Sequence, residues 1–330
     1  MGHRANLLLV EHHTYSLYYS HWGGISMPEN LFWGPEAALE FIKRQEPTTA
    51  WLDTAWAEGG ALMDLDRQVL LWYGGEDVNY EIPLRRHLIR MMKPLWPGWS
   101  IEWASAGILD LAEYVGHPTD ELTGRTNKPV EPAALAPESA EGWVRTIASI
   151  VFSNGELRLY PAQWEMEEYL LQGPELLEHL DQHVGRTELD LKEWPEEIPD
   201  QGFHLDIPAR TIHLWYAPDL GEVIREVREI WSGWHVVDLK DQFEEHVSLV
   251  HGKLCFVNEE PEKLTERLRR SLLRNYTSPV NTMMEIAQQQ EAAGKKIEVN
   301  PLALKDAPLE ITQAKKAQLL QYAIARLGDV

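Results

Sequence analysis

Trp96–Trp99 reads WPGW, and Trp231–Trp234 reads WSGW, 135 residues further on. Each phrase follows a run with helical spacing, LIRMMKPL at 88–95 and VIREVREI at 223–230. Each feeds a strand-like run, SIEW at 100–103 and HVVDL at 235–239. A glycine just past the last periodic residue is a helix stop, so both stretches read as helix, glycine turn, strand. Working outward, Leu7–Trp22 lies over Ser149–Trp164 without a gap at an offset of 142. Both segments read strand, turn, strand, with Asn154-Gly155 as the hairpin turn of the second and His12-His13 as its counterpart. Gly34-Pro35-Glu36 and Gly173-Pro174-Glu175 each open a helix, with proline in the first turn and an acid at the positive end of the dipole. Gly60–Tyr73 matches Gly202–Tyr216 if one residue is inserted, which aligns Asp64 with Asp206, Arg67 with Arg210 and Trp72 with Trp215.

The expected fold class is therefore α+β: two tandem copies of a β-β-α-β-β-α-β unit with mostly antiparallel sheets, each closing on a short helix at Gly116 or Gly252. The expected boundaries are 1–116 for the first repeat, 117–142 for a linker containing Pro118, Pro129, Pro132 and Pro137, 143–258 for the second repeat and 259–330 for a helical C-terminal segment. In that last segment Leu264, Leu268 and Leu272 form an apolar stripe after Pro261. Asn281 is read as the cap of a second helix and Thr312 as the cap of a third. Such stripes need a surface, either the repeats or a second chain through a dimer.

Hydrophobic residues at 44% with charged residues at 25% describe a folded chain and exclude disorder as a class. The single cysteine, Cys255, excludes an internal disulfide, and its apolar neighbours Leu254, Phe256 and Val257 predict a buried, inert thiol. The first apolar run, Leu7–Val10, is too short for a signal core or membrane span, and Asn6 breaks the myristoylation pattern after Gly2. The expectation is a cytoplasmic protein in a reducing compartment with no membrane association.

Charge is unevenly spread. Residues 261–330 carry 11 Lys+Arg against 8 Asp+Glu, so of the formal −22 the first 260 residues hold −25. Such a body repels nucleic acid and attracts a basic partner. The tail arginines lack the interleaved aromatics of a nucleic-acid surface.

The chemistry-bearing candidates are few. The shared tryptophans are read as packing anchors, and Asp64 and Asp206 as turn formers. His12, His13 and His21 stand where the second half has Asn154, Gly155 and Gln163 and are able to serve as bases or ligands, but a strand separates the first two from the third. No metal or cofactor is expected. Gly74-Gly75-Glu76-Asp77 fits no phosphate loop, since it lacks lysine and bears two acids, and reads as a turn plus helix start. Glu58, Asp64, Asp66, Glu76 and Asp77 supply carboxylates for an acid–base pair if the fold gathers them. No G-x-S-x-G, H-E-x-x-H, C-x-x-C or EF-hand pattern occurs. The leading expectation is a protein-binding module, of immunity or regulatory type, engaging a basic protein partner. Its partner-facing residues are His12, His13, His21, Tyr15, Tyr18, Tyr19, Glu76 and Asp77. The alternative is a hydrolase-type enzyme with its site in the cleft between the repeats.

Overall fold

A computed structural model describes residues 2–124, 134–135, 143–180, 185–193, 198–296 and 298–329. It divides into two compact units. The first comprises Met1–Asn79, Pro83–Gly124 and Glu260–Val330, and the second comprises Tyr80–Ile82 and Arg125–Glu259. Most of the stretch expected to be a linker lies outside the described residues.

The first unit runs β1 (Ala5–Glu11), β2 (Thr14–Ser20), α1 (Met27–Leu31), α2 (Pro35–Lys43), β3 (Glu46–Thr48), β4 (Gly59–Asp64), β5 (Val69–Tyr73), α3 (Glu76–Tyr80), α4 (Ile82–Met92), β6 (Ser100–Trp103) and α5 (Ile108–Tyr114). Its sheet has the order β3-β2-β1-β4-β5-β6. The hairpins β1–β2 and β4–β5 are antiparallel, whereas β1–β4 and β5–β6 are parallel. Both faces of this sheet are covered. Leu7, Leu9, Met63 and Trp72 point at one layer, with Leu31 and Leu88, and Leu8, Leu62 and Tyr73 point at the other, with Leu111 of α5.

The second unit runs β7 (Thr146–Val151), β8 (Leu157–Ala162), α6 (Met166–Leu170), a 3-10 turn at Gly173–Glu178, β9 (Leu189–Asp190), β10 (Gln201–Asp206), β11 (Thr211–Tyr216), α7 (Gly221–Ile230), β12 (His235–Asp238), α8 (Phe243–Leu249) and β13 (Leu254–Cys255). Its main sheet has the order β12-β11-β10-β7-β8, and β13 pairs with β9. Again the hairpins are antraparallel in sense only within themselves: β7–β8 and β10–β11 run antiparallel, and β7–β10 and β11–β12 run parallel.

With β2–β3 also antiparallel, antiparallel pairs outnumber parallel ones in the first sheet, and the two kinds are equal in the second, so both sheets are mixed. A tight turn fixes the sense only within a hairpin. Two hairpins laid with their leading strands together, and a strand returned by a helical crossover, make parallel neighbours.

The WxGW phrases do the same thing in each unit. Trp96 and Trp231 are buried, and their indole N–H groups donate to the carbonyls of Leu31 (3.2 Å) and Leu170 (2.7 Å), the last residues of α1 and α6. The second ring of each phrase, Trp99 or Trp234, stands edge-on to the first at 5.2 and 4.9 Å between centroids. Between them Gly98 and Gly233 take φ of 82° and 83°, a conformation L side chains resist.

Pairing registers correct the alignment read from sequence. β4–β5 and β10–β11 both close over four-residue turns, so no residue is inserted. Gly60 then faces Tyr73, and Gly202 faces Trp215. A Cβ on either glycine would meet that ring, Tyr73 Cε1 at 2.8 Å or Trp215 Nε1 at 2.5 Å. Trp72 faces Ala61 instead and points to the opposite side of its sheet. Trp72 and Trp215 are not equivalent, because a one-residue shift in a strand exchanges its faces. Arg67 and Arg210 do not correspond either; the left-handed turn residues are Gln68 and Arg210, at φ 57° and 51°. The first hairpins also differ. His12-His13 is a two-residue turn with both φ positive, whereas Phe152–Glu156 is a five-residue loop in which Gly155 alone is left-handed.

Two burial expectations fail. Trp164 is 62% exposed, so it is no packing anchor, and its sequence counterpart Trp22 is half-buried. Cys255 is exposed, because in the short β13 it alternates with the buried Leu254. Of the expected surface tyrosines, Tyr15 is exposed but Tyr18 and Tyr19 are half-buried.

The C-terminal residues form α9 (Pro261–Leu272), α10 (Pro279–Ala292) and α11 (Gln313–Ala325). Thr312 caps α11, accepting the Lys315 amide at 3.2 Å. The second helix begins at Pro279 with Ser278 before it, two residues ahead of Asn281. Leu264, Leu268, Leu272, Leu320 and Ala323 are buried in the first unit's own core, each leucine contributing about 1.5–3 kcal/mol. Among the described residues no helix is long and apolar enough to cross a membrane.

Candidate functional site

The first unit encloses a cavity of about 620 Å³. Its walls are assembled from segments far apart in sequence. The Gly23–Ser26 turn and α1 form one wall and the Gly75 end of α3 another. The third is α9 with its exit, and the fourth is the stretch 305–309 that runs toward α11. That last stretch is strapped to the body by the backbone. The Trp22 indole donates to the Ala303 carbonyl (3.0 Å), and the buried Gln45 amide donates to that of Ala307 (2.8 Å). Lys305 pairs with Glu46 at 2.6 Å, and Arg44 with Glu310. Asp306 is held in turn by the hydroxyls of Tyr276 and Ser278. Burial, then that carboxylate, raises the Tyr276 phenol, so it stays a donor.

Trp22, Ile25, Phe41 and Leu309 give the cavity apolar surface. Charged groups converge on it from both sides. Glu29, in the first turn of α1, accepts from Ser271 Oγ through Oε1 at 2.5 Å, while Oε2 is enclosed without a partner among the described residues. Desolvation raises its carboxyl above the ordinary value against the opposing pull of Ser271, Lys316 and Arg274. Lys316 sits 5.4 Å from the Trp33 ring, and its ammonium is lowered by burial. Arg267, Arg270 and Arg274 recur at spacings of three and four, so they share one face of α9 and its exit. Glu76 and Asp77, singled out from sequence, are exposed and line the cavity from the start of α3. They follow Gly74-Gly75, whose positive φ values make the turn expected there.

The other sequence candidates lie elsewhere. His12 and His13 are exposed at the β1–β2 turn, where their amides donate to Asp66 at 3.1 and 2.9 Å. These bonds lower the Asp66 carboxyl. His21 is buried, its Nδ1 bonded to the Tyr19 hydroxyl at 2.8 Å. The five carboxylates do not gather. Glu58 meets His3 Nδ1 at 2.7 Å. Asp64 caps its turn through the Asp66 and Arg67 amides and takes the Tyr114 hydroxyl. Among the described residues no group of three or more His, Cys, Asp or Glu is placed to hold a metal ion.

Sequence reasoning missed a second polar cluster, in the second unit. Trp215 Nε1 donates to His246 Nδ1 (2.8 Å), leaving His246 Nε2 to donate to Ser149 Oγ (2.6 Å). The Ser149 hydroxyl then donates to His204 Nδ1 (2.7 Å). That chain of donors requires both rings neutral. Desolvation pushes His204 down to about 4 and His246 to about 3. All four groups are buried, so this cluster holds β7, β10, β11 and α8 together without reaching solvent.

No protein family, no curated protein and no solved structure matches this chain.

Proposed function

We propose that this protein is a binding protein whose site is the cavity of its first unit. The observation that carries the reading is the cavity itself: about 620 Å³ of space with apolar walls and a few convergent charged groups, the size and composition of small-ligand sites. A non-catalytic role is favoured because the Ser–His arrangement is sealed in a core and the cavity's own histidine, His3, is engaged by Glu58. The test is a thermal-shift screen of metabolites. Saturable stabilisation grows as RT ln(1 + [L]/Kd), and it is expected to vanish in Ile25→Asp, which puts a charge on the apolar wall. A screen to millimolar concentration that yields no stabilising compound would remove the proposal.

A second reading rests on charge. With −25 on the first 260 residues, the acidic surface engages a basic protein partner in the cytoplasm. Salt-dependent recovery of such a partner from the source cell supports it, and salt-indifferent or absent recovery opposes it.

The two units are, in this reading, copies of one ancestral module. Corresponding strand orders, the paired WxGW corners and the glycine-under-ring pairs of Gly60 and Gly202 support common descent.

A further inference from the structure

We infer that the ligand of this cavity is a zwitterion with its charges set apart, namely a short peptide with free termini and apolar side chains. This inference rests on the ligand-binding reading. The cavity carries both signs of charge, and of its acids Glu29 is the one coupled to cations, namely Lys316 and Arg274. Among the described residues Glu76 and Asp77 make no ion pair. Arg270 donates through Nε to the Glu266 carbonyl at 3.5 Å, and among the described residues neither it nor Arg274 makes an ion pair. The acids stand at the start of α3 and the arginines on α9 and its exit, so the two signs of charge line the cavity from separate elements.

A simple anion would be drawn to Arg270 and Arg274 but repelled by Glu76, Asp77 and Glu29. A simple cation meets the reverse problem with Arg274 and Lys316. A molecule with an ammonium at one end and a carboxylate at the other satisfies both walls, and Arg suits the carboxylate through its planar fork. A dipeptide or tripeptide separates these charges by its own backbone. Its side chains meet Trp22, Ile25 and Leu309 between them, where apolar burial supplies most of the affinity.

The experiment uses the full chain, the neutral dye Nile red and three forms of one dipeptide: Leu-Leu, N-acetyl-Leu-Leu and Leu-Leu amide. Nile red binding that is lost in Ile25→Asp places the dye in the cavity. Leu-Leu is expected to displace the dye, with each blocked form weaker by ~10-fold, the loss of one charge-assisted contact. Glu76→Gln with Asp77→Asn is expected to abolish the preference for a free amino terminus alone, and Arg270→Gln with Arg274→Gln the preference for a free carboxylate alone. All four side chains are exposed, so these variants fold. If the dye binds but Leu-Leu does not displace it, or the blocked peptides displace it equally, the zwitterion is excluded and the cavity remains a ligand site. If neither dye nor peptide binds, both readings fall.

Discussion

At the scale of single residues, one buried acid and two buried histidines oppose each other in how they respond to pH. Glu29 is an acid whose folded pKa is raised, chiefly by desolvation. The folded chain therefore holds a proton that the unfolded chain releases as the pH rises above the ordinary carboxylate value. The stability this lends is present at low pH and is lost as the pH rises through the folded pKa. Replacing it with glutamine keeps an acceptor for Ser271 and removes the charge, so Glu29→Gln is expected to stabilise the first unit at neutral pH by about 1 kcal/mol. Denaturant titration of both proteins at pH 4.5 and 7.5 checks this, the difference being confined to the higher pH. His204 and His246 run the other way. Their folded values, about 4 and about 3, lie below the unfolded value near ~6.5. Stability is complete above that value and falls as the pH drops toward 4, by up to ~1.4 kcal/mol per pH unit for each histidine. Ser149→Ala leaves one imidazole N–H and one lone pair buried without partners and is expected to cost about 1–3 kcal/mol at pH 7.5. Chemical denaturation followed by near-ultraviolet dichroism reads both effects.

At the scale of elements, the WxGW corner is where helix, turn and strand have to agree. Gly98 and Gly233 occupy left-handed φ with open space where a Cβ would sit, apart from an ordinary contact with Gln68 at Gly98. Substitution by alanine therefore tests backbone strain with little steric clash. Gly98→Ala is expected to cost about 1–2 kcal/mol, and Gly233→Ala the same, each measured by urea unfolding. Equal stability in both variants would mean that the turns relax freely. The corner was legible because glycine stops and helical periodicity are local signals. The hairpin registers were not. The Trp-Tyr pair present in both halves points to an alignment one residue away from the one the equal turn lengths give, and that shift exchanges the faces of β5 and β11. The decisive constraint was a ring lying over Gly60 or Gly202, a cross-strand fact that no run along a single strand displays.

At the scale of the molecule, the C-terminal helices complete the first unit rather than merely follow it. Leu268 is buried with Leu264 and Leu272 in a core that includes Met27, Leu31 and Leu88. His87 of α4 is tied to Thr265 of α9 at 2.8 Å, its ring held neutral by burial and the neighbouring Arg90. Leu268→Ala is expected to cost 2–5 kcal/mol and to lower the unfolding midpoint of the first unit. A chain ending at residue 259 is expected to bind hydrophobic dyes and to lose cooperative unfolding of that unit. Calorimetry of both proteins measures it, and an unchanged first-unit transition would show the helices to be dispensable. The sequence carried the leucine stripe and the Thr312 cap, yet it left open whether the stripe met this chain or another. The cavity was invisible for the same reason: Glu29 and Ser271 lie 242 positions apart, and only packing of α9 on α1 makes them neighbours.

The sequence by itself determined the four hairpins, the helices that end at the WxGW corners, the turns at Asp64 and Asp206, and the presence of apolar faces on the tail, because these follow from propensity and periodicity within a few residues. The helix expected after Gly173 is a 3-10 turn instead, and α1, β3, β9 and β13 had no such local signal. Tertiary structure decided which strands lie side by side, which face each aromatic ring takes, and which distant charges share a cavity. Those outcomes depend on register and on contacts between remote segments, and a one-residue shift or a different docking of the same helices would leave the local signals unchanged.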